Sequence, residues 1–297
     1  MKRANTSVGK VAFLFPGQGK IPDKSPPSSR VGERLFTLAE RMGLSLREWV
    51  AAGSVDLLQQ TEFAQPAILI DSLAKAEALR MAGFEPDIVA GHSLGEYAAL
   101  VVSGVLTPEE AFSVVVERGR LMAGVHGAMA AIVKLTLEEV SSICEQIEPQ
   151  VVIANYNGPR QAVVSGREEG VNQAVELARE AGGRGIPLRV SGPFHSPLMG
   201  DAQAALASKI ESIGFKTPSV PVISSVSGSV EMEPTRLKDL LLTQITACVR
   251  WVDVVETLVG EEATDAVEVG AGEVLTGLGV RITSHMRFMT YKEALDG

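Results

Sequence analysis

Short uninterrupted apolar runs alternate along this chain with stretches whose apolar residues recur every three or four positions, the patterns of buried strands and of amphipathic helices. Val11-Ala-Phe-Leu-Phe is such a run; closed by Pro16-Gly17-Gln18-Gly19, it predicts a strand entering a glycine-rich turn. Lys20 to Arg30 carries three prolines and three serines among charges and predicts an exposed loop. Helical spacing resumes at Leu35, Leu38 and Met42, and a second helix is predicted over Pro66 to Met81. Ile88-Val-Ala reads as another buried strand, running through Gly91-His92-Ser93-Leu94-Gly95 into an alanine-rich helix that starts near Leu94. Thr107 as N-cap with Pro108 at the first helical position opens a helix to about Ala123, with Arg118 on its last turns.

From Ala128 the texture changes. A strand at Ala130–Val133, a helix over Leu137–Ile147, a hairpin of Val151–Asn155 and Ala162–Ser165, a helix over Val171–Ala181 and a strand at Ile186–Val190 give the order βαββαβ. That order predicts a small ferredoxin-like subdomain over residues 128–195, inserted into a large α/β layer made of 1–127 and 196–297. Beyond it the spacing predicts a helix to Ile213, a strand at Val220–Ser224, a helix over Leu237–Thr246, a strand at Ala266–Val269 and a last helix from Glu273.

Composition narrows the class. With 45% hydrophobic and 21% charged residues the chain has the make-up of a globular α/β enzyme. Its net charge of −9 argues against binding nucleic acid, and its apolar runs are too short for a targeting segment or a membrane span. Cys144 and Cys248 have neither metal-like spacing nor a disulfide framework, so a reducing cytoplasm and no metal are expected.

Gly91-His92-Ser93-Leu94-Gly95 matches Gly-x-Ser-x-Gly, the form of a nucleophile held on a strained strand-to-helix turn, which needs small neighbours two residues to either side. This predicts an α/β-hydrolase-like large subdomain with a parallel sheet, and it puts the N–H of Leu94 at a helix N-terminus where an acyl oxyanion would form. A serine needs a base, and the chain has four histidines. His92 is fixed in the turn itself, whereas His126 and His285 have no special surroundings; His195, in Ser191-Gly-Pro-Phe-His-Ser-Pro, is braced by Pro193 and Pro197. No aspartate falls between Ser93 and His195, which weakens a hydrolase triad and suggests that a neutral acceptor orients the base.

Phe15-Pro-Gly-Gln-Gly, Thr61-Glu-Phe-Ala-Gln-Pro-Ala, Gly91-His-Ser-Leu-Gly-Glu-Tyr-Ala-Ala-Leu, Arg118-Gly-Arg-Leu-Met, Asn155-Tyr-Asn, Phe194-His-Ser-Pro-Leu-Met, Gln244 before Val249-Arg-Trp, and Glu268-Val-Gly-Ala-Gly-Glu together resemble the malonyl-CoA:acyl carrier protein transacylases. The chain is similar as well to the free-standing acyltransferases of polyketide synthases. The resemblance implies Ser93 as acylated nucleophile, His195 as its base, main-chain N–H groups of Gln18 and Leu94 as oxyanion hole, and Gln244 as the residue whose carbonyl holds the histidine. It implies further that Arg118 binds the malonyl carboxylate, with Asn155 and Phe194 as substrate contacts. The implied partners are malonyl-CoA and an acyl carrier protein whose own phosphopantetheine accepts the acyl group, so no cofactor is expected, and the enzyme would be a monomer. Since such carriers are usually acidic, docking would use local cations, with Arg160, Arg167, Arg184, Arg189 and Lys209 as candidates. The alternatives are an acyl hydrolase acting on carriers, an acyltransferase for other extender units, and an idle docking module. Lys20-Ile21 departs from the Ser-Gln common in the family, and the Phe194 ring would crowd an α-methyl branch, a preference worth about 1–3 kcal/mol.

Overall fold

The computed structural model describes residues 9–148, 151–190 and 192–296; the basic stretch 1–7 and Ser191 lie outside the described residues. Among the described residues the strands are β1 (Lys10–Phe15), β2 (Ile88–Gly91), β3 (Ala128–Val133), β4 (Val152–Gly158), β5 (Gln161–Gly166), β6 (Arg184–Pro187), β7 (Val222–Ile223), β8 (Val230–Glu231), β9 (Ala263–Glu268) and β10 (Arg287–Thr290). They form two sheets, one in the order β10-β9-β1-β2-β7-β8 and one in the order β4-β5-β3-β6.

In the first sheet β1 pairs in parallel with both β2 and β9. A central strand covered on both faces must be apolar throughout, which is why β1 reads as a run and not as an alternation. Its Val11, Phe13 and Phe15 enter one core and Ala12 and Leu14 the other, the two-residue period of a strand between two helical layers. The outermost strand, β8, is antiparallel.

Helix Thr61–Met81 begins five residues before the predicted Pro66, which lies inside it. Proline removes one donor from the helical ladder and leaves Glu62 O without its intrahelical partner; a partner helix packs over that point, since a Cβ on Gly119 of helix Pro108–Ala123 would lie 3.3 Å from Glu62 O. The loop Lys20 to Arg30 is not exposed throughout, because Pro22 and Ser29 are buried and Asp23 is paired with Lys75.

The second sheet is antiparallel and carries helices Leu137–Cys144 and Glu168–Glu180 over a separate core. Its last strand lies earlier than the predicted Ile186–Val190. The inward position is Gly185, where a Cβ would meet Val175 Cγ1 at 2.7 Å, while the apolar Ile186 and Leu188 are exposed on an edge. Helices Leu46–Ala52, Val55–Leu58 and Trp251–Gly260 and strands β8 and β10 go beyond the sequence expectation. The last predicted helix ends at Ile282, and β10 follows it. A parallel bridge between Asn155 and Val249 ties the two sheets together: Val249 N donates to Ala154 O at 2.9 Å, and Tyr156 N donates to Val249 O at 2.8 Å. Among the described residues no helix is long and apolar enough to cross a membrane.

Candidate active site

The turn after β2 is built by packing that only glycine permits. A Cβ on Gly91 would lie 2.1 Å from Glu96 N, and one on Gly95 would lie 1.9 Å from Phe15 O. Between them Ser93 takes φ 52°, a left-handed conformation that costs a non-glycine residue roughly 1–2 kcal/mol. Helix Gly95–Val102 follows at once with Leu94 as its N-cap residue, so the positive end of the helix lies beside the hydroxyl.

His195 reaches that hydroxyl from 102 residues away, with Nε2 2.8 Å from Ser93 Oγ. It too has a left-handed backbone, at φ 58°, and its amide is pinned to Ile245 O at 3.0 Å. Its Nδ1 lies 3.0 Å from Gln244 O and 2.9 Å from Ala247 O. Carbonyl oxygens only accept, so Nδ1 carries the hydrogen and Nε2 is left as the acceptor facing the serine. Burial pushes the His195 pKa down to about 3, with Arg118 and His92 adding to the shift and the two carbonyls opposing it. The ring is therefore neutral at physiological pH.

Arg118 is 2% exposed, yet its hydrogen bonds go to neutral oxygens: Gln65 Oε1 at 2.6 Å, Ser93 Oγ at 3.0 Å and Gln244 Oε1 at 3.3 Å. The guanidinium carbon lies 5.7 Å from the Tyr97 ring centroid, and Nε has no partner. No carboxylate among the described residues forms an ion pair with it.

Behind this trio lies a polar layer that sequence reasoning missed in part. The Gln244 amide donates to Ser93 O at 3.0 Å and to Glu96 Oε2 at 2.9 Å. Glu96 is buried, accepts from Ser225 Oγ at 2.5 Å, and has its carboxyl pKa pushed up by burial against these hydrogen bonds. An acid does therefore lie between Ser93 and His195 in sequence, but it holds Gln244 and makes no bond to the histidine. Gln65, Glu96 and Ala247 were not singled out in advance. A glutamate inside an alanine-rich helix is the signal that could have found Glu96, and the ordered motif Thr61-Glu-Phe-Ala-Gln-Pro-Ala the one that could have found Gln65.

The remaining sequence candidates are placed variously. Gln18 is half-buried after Gly17, whose missing Cβ lets the turn approach His92 O, and its Oε1 accepts from Thr61 Oγ1 at 2.6 Å. Phe194 is buried in the main core beside His195. Asn155 is buried at the bridge to Val249; Asn157, two residues on, is the one that reaches the nucleophile turn, with Oδ1 2.9 Å from His92 Nε2. No group of three or more His, Cys, Asp or Glu among the described residues could hold a metal ion.

The acyl transferase domain family matches residues 33–285 of the chain. The malonyl CoA-acyl carrier protein transacylase of Bacillus subtilis (strain 168) is 38% identical over 298 residues, covering 94% of this chain and 92% of that protein. The crystal structure of acyl-carrier-protein S-malonyltransferase from Burkholderia pseudomallei 1710b superposes with a TM-score of 0.90 at 34% identity, covering 97% of this chain and 98% of that one. A malonyl-transacylase solved in complex with a type II PKS acyl-carrier protein superposes with a TM-score of 0.88 at 33% identity, covering 97% of this chain and 99% of that one. Agreement over nearly the full length, in sequence and in fold alike, means that the chain belongs to the malonyl CoA-acyl carrier protein transacylases, a family of acyltransferases.

Proposed function

We propose that this chain moves a malonyl group from coenzyme A to the phosphopantetheine thiol of an acyl carrier protein, in two half-reactions through an ester on Ser93. Ser93 Oγ gives its proton to His195 Nε2 while attacking the thioester carbonyl, whose oxygen becomes negative opposite the main-chain N–H groups of Gln18 and Leu94. Collapse expels the coenzyme A thiolate, which takes the proton from His195. The carrier thiol then enters, yields its proton to Nε2 and attacks the acyl-serine, and Ser93 leaves as an alkoxide that recovers the proton. The two carbonyls on Nδ1 stabilise the transient imidazolium less than a carboxylate would, but they fix its tautomer.

Arg118 selects the acyl group. A guanidinium held among neutral oxygens gains most from an anionic partner, about 1.5–3 kcal/mol for each charge-assisted hydrogen bond to the malonyl carboxylate. One observation carries the reading: a single hydroxyl lies 2.8 Å from a neutral imidazole and 3.0 Å from a buried guanidinium that lacks a carboxylate. The activities for which the chain's relatives are named support malonyl-CoA as donor and the carrier as acceptor.

The same proposal takes residues 1–127 with 196–297 as an α/β-hydrolase-like subdomain and 128–195 as a ferredoxin-like one, for which the antiparallel order β4-β5-β3-β6 is the supporting observation. It takes the enzyme as monomeric and cytoplasmic, and as needing no cofactor, since exchange of thioester for ester moves only an acyl group and a proton. Phe194 would disfavour branched acyl groups, and Asn155 would act on the substrate side of the bridge. Docking of the carrier falls to exposed cations, Arg160, Arg167, Arg184 and Arg189, with the half-buried Lys209 as a further candidate. The direct test is loading of a holo carrier from labelled malonyl-CoA: Ser93→Ala is expected to lower it by on the order of 1,000-fold or more, and loading at the native rate would overturn the assignment.

A further inference from the structure

Arg118 and Gln18 lie on opposite sides of the proposed reaction, one at the acyl carboxylate and the other at the oxyanion, and a single file of hydrogen bonds joins them. Arg118 Nη1 donates to Gln65 Oε1 at 2.6 Å, Gln65 Nε2 donates to Thr61 Oγ1 at 3.1 Å, and Thr61 Oγ1 donates to Gln18 Oε1 at 2.6 Å. Gln65 and Thr61 are each 1% exposed, so water does not compete for these bonds.

The direction of every bond follows from the first. A guanidinium can only donate, so the Gln65 amide must turn its oxygen to Arg118 and its NH₂ to Thr61. The Thr61 hydroxyl, receiving that hydrogen, has one hydrogen of its own to give, and Gln18 Oε1 takes it. Before Gln18 the turn is held where Gly17 packs on His92 O, but after it the chain is open, since a Cβ on Gly19 would meet nothing within 4 Å. The anchored side chain is what holds its peptide unit in register with the nucleophile.

We propose that Thr61 is a positioning residue of the transfer reaction: with Gln65 it transmits the fixed orientation of Arg118 to the oxyanion-hole residue Gln18. This rests on the reading of Ser93, Gln18 and Arg118 given above. The consequence is kinetic. A main-chain donor acts where charge develops in the transition state, so loosening it lowers kcat with little effect on KM. Losing such a donor outright costs about 100–1,000-fold, and loosening its register is expected to cost about tenfold.

The experiment is a double-mutant cycle on acylation of the enzyme by malonyl-CoA, with Ser93→Ala as the reference for the underlying reading. Thr61→Val keeps the shape of the side chain and removes both donor and acceptor; Gln18→Leu removes the terminal acceptor and keeps the backbone amide. Each single variant is expected to lower kcat about tenfold with KM near native, the pair to lose no more than either alone, and Thr61→Ser to restore the native rate. Native kcat in Thr61→Val, losses that multiply in the pair, or a Thr61→Ser variant as slow as Thr61→Val would each overturn the relay. Because Gln18 lies in a surface turn, Gln18→Leu carries the test alone should Thr61→Val fail to fold: native kcat in it overturns the relay, and a tenfold fall in kcat at native KM supports it. Acylation persisting in Ser93→Ala would instead overturn the assignment of the nucleophile, a result distinct from any failure of the relay.

Discussion

Two buried cations on neighbouring helices are treated in opposite ways. Lys75, on helix Thr61–Met81, has Nζ 2.8 Å from Asp71 and 3.0 Å from Asp23, and faces the Tyr291 ring at 5.6 Å. Arg118, on helix Pro108–Ala123, is equally buried and bonds only to two amide oxygens and a hydroxyl. The lysine has spent its charge on its own protein, tying the loop before helix Arg30–Arg41 to the body of the fold. The arginine is held in place by dipoles, and in the proposed function it keeps its charge for a ligand. Burial of a charge is therefore not itself the mark of a site; burial without an ion-paired carboxylate, beside a candidate nucleophile, is.

The contrast can be broken most severely at Lys75. Lys75→Met leaves the Asp71 carboxylate buried without its cation, and equilibrium urea unfolding is expected to show a loss of about 3–5 kcal/mol while the folded variant keeps native transfer kinetics. Burial already pushes the Asp71 pKa up against the pull of Lys75, and the variant should raise it further. Stability unchanged, or transfer lost in the folded protein, would erase the distinction. Next in size is Arg118→Ala, for which malonyl transfer should fall about 150-fold, equivalent to two charge-assisted bonds at about 1.5 kcal/mol each, while acetyl transfer falls far less. Equal losses for the two donors would deprive the arginine of its role.

The smallest expected effect is the near absence of one. A folded-state pKa of about 3 for His195 lies below that of a free histidine, so the unfolded chain takes up a proton that the folded one refuses. The contribution of this group to stability is present above pH 6.5 and is lost as pH falls from there toward 3. Over the upper part of that window the base stays neutral, and the rate of Ser93 acylation should change by less than about twofold between pH 5 and 7. An acid limb centred near 6.5 would place the imidazole in water rather than in the buried cage of Gln244 and Ala247.

Legibility differed sharply between the two halves of the site. The nucleophile turn could be read because its constraint is local: Gly91 and Gly95 mark where a side chain would strike Glu96 N and Phe15 O. His195 stood out by its flanking prolines, while Arg118 and Gln244 came beside it only through a resemblance in ordered motifs, since nothing in the 101 residues between serine and histidine says that they touch. Glu96 lies three residues past the serine and was passed over, because whether a helical glutamate faces water or a buried glutamine depends on what packs against that helix. Helix Trp251–Gly260 is apolar on most sides and so lacks a helical period, and the four residues of β10 carry too little pattern to read. The run at 186–190 misled for the converse reason, as its apolar residues form an edge.

Local chemistry in the sequence by itself determined the α/β class, the strand-turn-helix that strains Ser93, and the alternation of strands and helices that builds the second sheet between Ala128 and Pro187. These depend on neighbours within a few residues, where glycine spacing and apolar period act directly. Only the tertiary structure decided which histidine faces the serine, which of two buried cations is left without a counter-charge, and which way each amide points. Those outcomes depend on groups from six separated segments meeting in a volume without water, where a donor must find its acceptor in the protein.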